Sequence, residues 1–417
     1  MILGGGGREH ALAWAVLQNP KCDRLIVAPG NAGIDAIAEC ASLNIEDGEA
    51  VVGFAVEESI DFVIIGPEAP LAAGVSDALS AAGILVFGPS AAAARLEASK
   101  AFTKEICDAC GAPTAAWARF SDAQAAHAYV TAKGAPIVIK ADGLAAGKGV
   151  VVAETVAAAQ AAIDDILGGA FGAAGAEVVI EEFMTGQEAS FFVLSDGNTV
   201  LPIGTAQDHK RIGDGDTGPN TGGMGAYSPA PILSDRVAAR ALDAIVKPTI
   251  AEMARRGTPY VGVLYAGLMI ENDTPRLVEY NARFGDPETQ VLMMRLGGQA
   301  LDLMLACAEG RLADMQVTWA DDHALSVVMA SKGYPGAYAK GSVIGGLDRL
   351  VADSHHMVFH AGTKAEGGVI RADGGRVLNV TARGATLSEA RARAYAMVDA
   401  IDWPDGVFRR DIGWRAL

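Results

Sequence analysis

The sequence is short of basic residues and has no long apolar run. Lys and Arg total 33 against 50 Asp and Glu, giving a formal net charge of −17, and no stretch is rich in Lys or Arg. A protein that neutralises the phosphates of nucleic acid or of an anionic membrane needs a basic face, so we expect neither partner. No apolar run reaches the ~18 residues of a membrane helix, and Met1 leads into Ile2 without a signal peptide. We therefore expect a cytoplasmic protein.

Cysteine is also scarce, with five residues in the chain. Cys107 and Cys110 form a C-x-x-C pair, but a structural zinc site takes four ligands and no second pair follows. The favoured interpretation is two thiols one turn apart on a helix, in a reducing compartment.

Apolar residues are abundant, at 51% of the chain, which is enough for packed cores. The length of 417 residues is typical of about two to four domains. Short apolar runs at 25–28, 62–65 and 84–87 alternate with helical stretches over residues 1–98. Such runs are typical of buried parallel strands. A doubly wound sheet of this kind binds ligands at the carboxyl ends of its strands.

The rest of the chain has a different pattern. Residues 119–189 predict a small α+β lid, and residues 187–206 predict a hairpin that turns at Asp196-Gly197. Residues 208–228 show no apolar periodicity and predict a long functional loop. From 323 to 417 the pattern indicates a small mixed domain that ends with a helix.

A glycine-rich turn follows a predicted strand that ends at Lys140. The motif Gly143-Leu-Ala-Ala-Gly147-Lys148-Gly149 does not fit a P-loop, because its glycines are too close together and Gly149 replaces the Ser or Thr that binds Mg²⁺. The β-branched residues after Gly149 predict a second strand. Backbone N–H groups of segment 140–150 could close over phosphates, with Lys140 directed at them; the alternative is a plain hairpin with a surface lysine.

Acidic residues follow the next predicted strands. Glu181-Glu182-Phe183 and Glu188 suit an adenine edge and a ribose, although two exposed glutamates at a strand end are an alternative. Glu279 and Asn281 share one strand face, because residues i and i+2 point the same way, and Mg²⁺ prefers oxygen ligands. Arg283, which follows them, could hold a carboxylate or a transferring phosphoryl group.

Four consecutive glycines, Gly4 to Gly7, precede the first predicted helix. The G-x-G-x-x-G dinucleotide pattern is broken, since the third glycine position falls on Glu9 or His10. The helix N-terminus still suits a phosphate, and a sugar phosphate is the favoured ligand. The alternative is a loop that allows tight packing of the helix on the strand.

Taken in order, these motifs closely resemble the phosphoribosylamine–glycine ligase family of ATP-grasp enzymes, over essentially the whole chain. The stretches that carry the resemblance are GGREHALAW (6–14), APGNAG (28–33), GPEAPL (66–71), SKAFTK (99–104), IVIKADGLAAGKGV (137–150), EEFMTGQEAS (181–190), QDHKRIGDGDTGPNTGGMGAYSP (207–229), NARFGDPETQ (281–290) and RDIGWRA (410–416).

The resemblance implies an α/β and α+β multidomain fold. Its parts are a doubly wound N-terminal domain (1–98), an ATP-grasp core (99–118 and 190–322), a small mobile lid (119–189) and a C-terminal mixed domain (323–417).

It also implies roles for individual residues. Those expected at ATP are Lys104 and Lys140 at the phosphates, Glu181, Glu182 and Phe183 at the adenine, and Glu188 at the ribose. Those expected at Mg²⁺ or Mn²⁺ are Glu279 and Asn281, with Arg283 as the catalytic residue facing glycine and its acyl phosphate. Those expected at the remaining substrate surface are Gly6, Gly7, Asn31, Glu68, Asp208, Lys210 and Asp286.

The implied reaction joins glycine to 5-phosphoribosylamine through glycyl phosphate and releases ADP and phosphate, in a monomeric enzyme of purine synthesis. Two alternatives are another ATP-grasp carboxylate–amine ligase and an inactive nucleotide-binding sensor. The loop at 207–229 argues against the first alternative, and the intact Glu279, Asn281 and Arg283 argue against the second.

Overall fold

The computed structural model describes residues 1–144 and 149–417. Its N-terminal part is a five-stranded sheet in the order β3-β2-β1-β4-β5, with every pair parallel, which confirms the predicted doubly wound sheet. The strands are β1 Ile2–Gly4, β2 Ile26–Pro29, β3 Glu39–Cys40, β4 Phe62–Ile65 and β5 Leu85–Phe87, and the helices are α1 Gly7–Leu17, α2 Gly48–Glu57, α3 Glu68–Ala72, α4 Val75–Ala81 and α5 Ala91–Ala98.

The central strand β1 is only three residues long, but it is buried along its whole length and pairs with β2 and β4. Polar side chains begin the neighbouring helices: Asp47 accepts a hydrogen bond from the backbone of α2, and Ser90 accepts one from α5. These caps satisfy donors that a helix leaves free, and so fix where each helix begins.

The lid has its own antiparallel sheet, in the order β6-β9-β7-β8. It is preceded by α6 Lys100–Cys110, and consists of β6 Trp117–Phe120, α7 Ala123–Lys133, β7 Ile137–Ala141, β8 Val150–Ala153, α8 Val156–Asp165 and β9 Val178–Glu182. A separate apolar core lies between this sheet and its two helices. Residues 145–148 of the predicted flap lie outside the described residues.

The largest sheet contains nine strands and runs in the order β16-β15-β10-β11-β14-β17-β22-β19, with β23 paired to β17. Its strands up to residue 281 are β10 Gln187–Asp196, β11 Val200–Asp208, β14 Gly225–Ser228, β15 Val261–Glu271 and β16 Thr274–Asn281. A separate two-stranded hairpin between β11 and β14 consists of β12 Arg211–Gly213 and β13 Thr217–Asn220. The helices of this part are α9 Asp235–Ala241, α10 Lys247–Arg255, α11 Glu288–Leu296 and α12 Gln299–Ala308.

The predicted hairpin at 187–206 is observed as β10 and β11. The expectation of a loop without structure over 208–228 was wrong, because this segment contains the hairpin β12/β13 and then β14. Strand β14 is buried between β11 and β17 and pairs with both. Its Gly and Ala residues carry too little apolar surface to reveal a strand by periodicity.

The C-terminal strands continue the same sheet through the pairing of β14 with β17. The elements of this part are β17 His323–Ser331, β18 Val343–Ile344, β19 His356–His360, β20 Thr363–Glu366, β21 Val369–Ala372, β22 Arg376–Gly384, α13 Leu387–Ala400 and β23 Gly406–Val407. Shorter helical turns are Ile166–Ala170, Gly172–Gly175, Leu242–Val246, Leu312–Asp314, Leu347–Arg349 and Trp414–Ala416.

Within the described residues, no single helix is both long enough and apolar enough to cross a membrane. Only the pair α11 and α12 meets that requirement by length and composition, and the two helices meet at 105°.

Candidate functional site

Two lysines predicted to contact ATP phosphates converge on one glutamate. Lys104 on α6 lies 3.0 Å from a carboxylate oxygen of Glu181, and Lys140 on β7 lies 2.9 Å from the other. All three side chains are at most 4% exposed. Burial lowers the pKa of Lys104, whereas for Lys140 burial is outweighed by the carboxylates of Glu181 and Glu279, which raise its pKa.

The Glu181 side chain lies buried between the two ammonium groups, on the sheet face that also carries Lys140 and is covered by Lys104 of α6. Its predicted contact with the adenine stays a prediction. Glu182 and Phe183 do lie on the open side: Glu182 pairs with Arg276, and Phe183 is 40% exposed.

A group of acidic side chains surrounds Lys210. Its ammonium forms an ion pair with Glu188 on β10, and the carboxylates of Asp208 and Glu279 lie nearby. Burial opposes the charge of Lys210, but Glu188 and Asp208 outweigh it and raise the lysine pKa well above its ordinary value. Conversely, the burial of Glu279 is outweighed by Lys210 and Lys140, so its pKa is lowered and the carboxylate is ionised.

Glu279 and Asn281 end strand β16 on one face, as predicted. Among the described residues neither side chain has a protein hydrogen-bond partner, which leaves their oxygens available to a ligand. Gly267 on β15 pairs with Glu279, and a Cβ there would lie 3.6 Å from the Glu279 Cγ and 4.0 Å from Glu188 Oε1. The absence of a side chain at Gly267 keeps this face open.

No group of three or more His, Cys, Asp or Glu side chains placed to hold a metal occurs within 1–144 and 149–417. Two oxygen ligands still fit Mg²⁺, since this ion is usually bound by one or two protein groups and takes its other ligands from phosphates and water. The donor set of Glu279 and Asn281 is therefore suited to a Mg²⁺–nucleotide and not to an all-protein metal cage.

Arg283 lies between two carboxylates from the N-terminal part. Its Nε is 3.2 Å from Glu68, at the start of α3, and its Nη2 is 3.0 Å from Glu97, at the end of α5. Glu97 also accepts the N–H of Ala282 at 2.7 Å. Burial raises the pKa of Glu97, whereas Arg283 and Arg8 outweigh burial at Glu68 and lower its pKa.

Glu97 is a site residue that sequence reasoning missed, because it lies on a plain Ala-rich helix with no motif around it. Glu288 was also missed as a contact. It is buried, with 3% of its surface exposed. Its Oε1 accepts hydrogen bonds from Tyr265 at 3.0 Å and from Ser190 at 3.3 Å. Beside this network, burial raises the pKa of Asp208 to about 7 despite Lys210.

The glycine loop before α1 is closely packed. Gly6 N–H donates to the Glu9 carboxylate at 2.7 Å, and Arg8 N–H donates to Asp286 at 2.9 Å. A Cβ on Gly7 would lie 2.2 Å from Asn379 Nδ2, so Gly7 is required by packing. Two carboxylates thus already accept from the N–H groups of Gly6 and Arg8, and binding of a sugar phosphate at the N-terminus of α1 stays a prediction.

Asn31 and Asp286, both predicted at the substrate surface, tie the parts of the chain together. The Asn31 amide donates to Gly5 O at 2.9 Å and to His360 O at 2.8 Å, and its oxygen accepts from Gly33 N–H at 2.9 Å. Besides capping α1, Asp286 lies 3.4 Å from Arg376 of β22. These contacts connect the N-terminal loop, the central sheet and the C-terminal strands.

The entrance to the predicted flap is anchored to α6. Asp142 accepts the N–H of Ala101 at 2.7 Å, and Lys100 donates to the carbonyl of Gly143 at 3.1 Å. Movement of segment 140–150 on ATP binding remains a prediction.

Three family models match this chain and together cover most of its length. The models are described as Phosphoribosylglycinamide synthetase, N domain (residues 1–97), ATP-grasp (A) domain (98–289) and C domain (324–415). A phosphoribosylamine–glycine ligase of Mesorhizobium japonicum is 59% identical over 417 residues, covering 100% of this chain and 98% of the relative. That of Brucella melitensis is 56% identical with the same coverage.

Solved structures agree with these matches. The crystal structure of phosphoribosylamine–glycine ligase from Thermotoga maritima is 31% identical and covers 99% of both chains, with a TM-score of 0.86. A biotin carboxylase domain from Hydrogenobacter thermophilus, 16% identical with a TM-score of 0.72 over 98% of this chain and 91% of that one, shares the fold. The resemblance read from the motifs is thus confirmed, and the chain belongs to the phosphoribosylglycinamide synthetase family.

Proposed function

We propose that this chain is an ATP-dependent ligase that forms glycinamide ribonucleotide from glycine and 5-phosphoribosylamine. A carboxylate oxygen of glycine attacks the γ-phosphorus of ATP, and ADP leaves. The amine of phosphoribosylamine then attacks the carbonyl of glycyl phosphate, and phosphate leaves with the former carboxylate oxygen. The relatives of matching length that carry this name support the assignment.

The observation that carries the proposal is the arrangement around β16. Among the described residues the side-chain oxygens of Glu279 and Asn281 have no protein hydrogen-bond partner, and the Glu279 carboxylate lies near Lys140, which Glu181 binds. Unpaired oxygens beside buried cations suit a metal–polyphosphate, because the metal and the ammonium groups neutralise charge on a transferring phosphoryl group. Glu279 and Asn281 would hold Mg²⁺, or Mn²⁺, and the ion would supply this charge neutralisation.

The two lysines are proposed to bind phosphate oxygens of ATP. Glu181 forms ion pairs with both ammonium groups and so holds them in place. The segment from Glu181 to Phe183 would contact the adenine, with Glu182 and Phe183 on the open side. Glu188 would accept hydrogen bonds from ribose hydroxyls once its pairing with Lys210 is released.

Arg283 is proposed to hold the glycine carboxylate and then the acyl phosphate. Its guanidinium is planar and always charged, so it presents parallel donors that match a carboxylate. Glu68 is its more exposed partner, at 34% against 10% for Glu97, and is therefore the carboxylate that a substrate can displace.

The phosphoribosylamine surface is proposed to lie between the glycine loop and strand β11. It would comprise Gly6, Gly7, Asn31, Glu68, Asp208, Lys210 and Asp286. Since carboxylates already bind the N–H groups of Gly6 and Arg8, a sugar phosphate would contact the loop backbone beside Asp286, and would not bind those two donors.

We further propose domain limits of 1–98, 99–118 with 190–322, 119–189 and 323–417, a monomeric state and a cytoplasmic location. The ranges matched by the three family models support the limits near 98 and 323. Size-exclusion chromatography with light scattering tests the monomer.

The decisive experiment measures ADP release with each substrate omitted in turn. We expect release to require both glycine and phosphoribosylamine, with glycinamide ribonucleotide formed in equal amount. Release with a different carboxylate or amine would identify another ATP-grasp ligase. Binding of ATP without ADP release under any substrate pair would identify a nucleotide-binding sensor.

A further inference from the structure

The segment that joins β11 to β12 presents alternate residues to opposite sides. Lys210 forms an ion pair with Glu188 at the candidate site. His209, between Asp208 and Lys210, is fully buried on the other side, and its Nε2 accepts the N–H of Gly413 at 3.0 Å. Because residues i and i+2 share a face in extended backbone, contacts on the back of this segment set the direction of both site residues.

An ionic cluster holds the back of the segment. Arg409, with a side chain 0% exposed, donates to Asp216 at 2.8 Å and to Asp411 at 2.7 Å. Arg415 reaches Asp216 at 2.5 Å and also donates to the backbone carbonyl of Asp208 at 3.3 Å. We call Arg409, Asp411, Arg415 and Asp216 together the C-terminal clamp.

Backbone N–H groups of the same two segments donate further hydrogen bonds between them. Arg410 N–H donates to the Asp214 carboxylate at 2.8 Å, and Gly215 N–H donates to Asp411 at 2.8 Å. The turn of the hairpin β12/β13 is therefore held by a segment about 200 residues later in the chain. An isolated two-stranded hairpin is at best marginally stable, so these contacts help to fix the segment.

We propose that the C-terminal clamp positions Asp208 and Lys210 for the ligase reaction, with Arg415 as its main positioning residue. The inference rests on the proposed function. Arg415 is the clamp side chain that contacts the backbone of a site residue directly. Its planar guanidinium binds Asp216 and the Asp208 carbonyl at once, which a single ammonium group does less well.

The test compares Arg415→Gln with Arg410→Gln. Arg410 belongs to the same segment, but its side chain is 54% exposed and pairs with Asp399, outside the clamp. We expect Arg415→Gln to lower kcat/KM for phosphoribosylamine by on the order of 10²-fold, because a displacement of about 1 Å at the reacting groups has that effect. Arg415→Lys should recover part of this loss, and Arg410→Gln should match wild type.

Hydrogen exchange supplies a readout that does not depend on turnover. Amides of residues 209–216 should exchange faster in Arg415→Gln than in Arg410→Gln, while amides of the lid strands stay unchanged. If Arg415→Gln does not fold, Asp216→Asn, which keeps the size of a residue 27% exposed, replaces it in both assays.

Two results would overturn the proposal: kinetics of a folded Arg415→Gln equal to those of Arg410→Gln, or equal exchange of 209–216 in both variants. If wild type forms no glycinamide ribonucleotide, the proposed function fails. The exchange comparison then still decides whether the clamp orders this segment.

Discussion

Replacing Glu181 by glutamine removes the negative charge between two buried ammonium groups while keeping the shape of the side chain. The side chains of Lys104, Lys140 and Glu181 are 2%, 4% and 2% exposed. Removing one partner from a buried ion pair costs about 3–5 kcal/mol, because the other charge stays buried without compensation. This is a large part of the about 5–15 kcal/mol by which domains are stable.

The matched control is the next residue along the strand. Glu182 pairs with Arg276, but their side chains are 42% and 38% exposed. Exposed pairs contribute about 0–1 kcal/mol, so Glu182→Gln should change the free energy of unfolding little. Urea unfolding of both variants, followed by fluorescence and circular dichroism, measures the difference.

The pH dependence separates charge from packing. In the wild type the pKa of Lys140 is raised, because the carboxylates of Glu181 and Glu279 outweigh its burial, so its stabilising contribution is present below the unfolded pKa of about 10.4 and is lost above it. Without Glu181, the buried lysines release protons more easily in the folded state than in the unfolded state, so the variant gains stability as the pH rises. The gap between the two proteins should therefore narrow from about pH 7 to about pH 10. Equal losses in Glu181→Gln and Glu182→Gln, or a gap independent of pH, would refute the reasoning.

Three further predictions concern the proposed metal ligands, two buried histidines and Gly7. Glu279→Gln and Asn281→Leu should each abolish turnover in a folded protein; unchanged kcat at limiting Mg²⁺ would contradict the metal assignment. Burial lowers the pKa of His10 to about 3 and of His360 to about 4, so the unfolded state binds more protons below about pH 6.5. Urea unfolding should show stability falling between about pH 6.5 and pH 4, by up to about 1.4 kcal/mol per pH unit for each histidine, and a flat profile would count against these shifts. Gly7→Ala should lose about 1–3 kcal/mol, since its Cβ would meet a buried amide nitrogen at 2.2 Å, and a wild-type melting temperature would show that the loop can relax.

Local patterns predicted the parts of the site that lie on single elements. The i, i+2 relation placed Glu279 and Asn281 on one face of β16, and short apolar runs predicted the parallel sheet. These predictions succeeded because strand alternation and burial are properties of a few consecutive residues.

Contacts between distant elements could not be predicted in this way. Glu97 lies 186 positions before Arg283 in the chain, and no motif on α5 distinguishes it from a surface glutamate. The motif predicted an adenine contact for Glu181 but not that its side chain pairs with two lysines, because that pairing depends on where α6 and β7 lie. The tertiary fold decides which face of β9 is inside, and the local sequence of two glutamates suits either direction.

The net charge of the protein is −17, and each described cation of the site is already paired with a carboxylate. Lys104 and Lys140 are paired with Glu181, Lys210 with Glu188, and Arg283 with two carboxylates. A substrate anion that binds Lys210 or Arg283 as proposed would therefore replace a carboxylate, whereas Glu181 would stay between Lys104 and Lys140. Such an exchange favours ligands that fit the geometry of the donors over anions in general, because a poorly placed anion loses the carboxylate pairing without replacing it. If these cations bind the substrates as proposed, pairing Lys210 and Arg283 in advance would favour the correct phosphate and carboxylate groups.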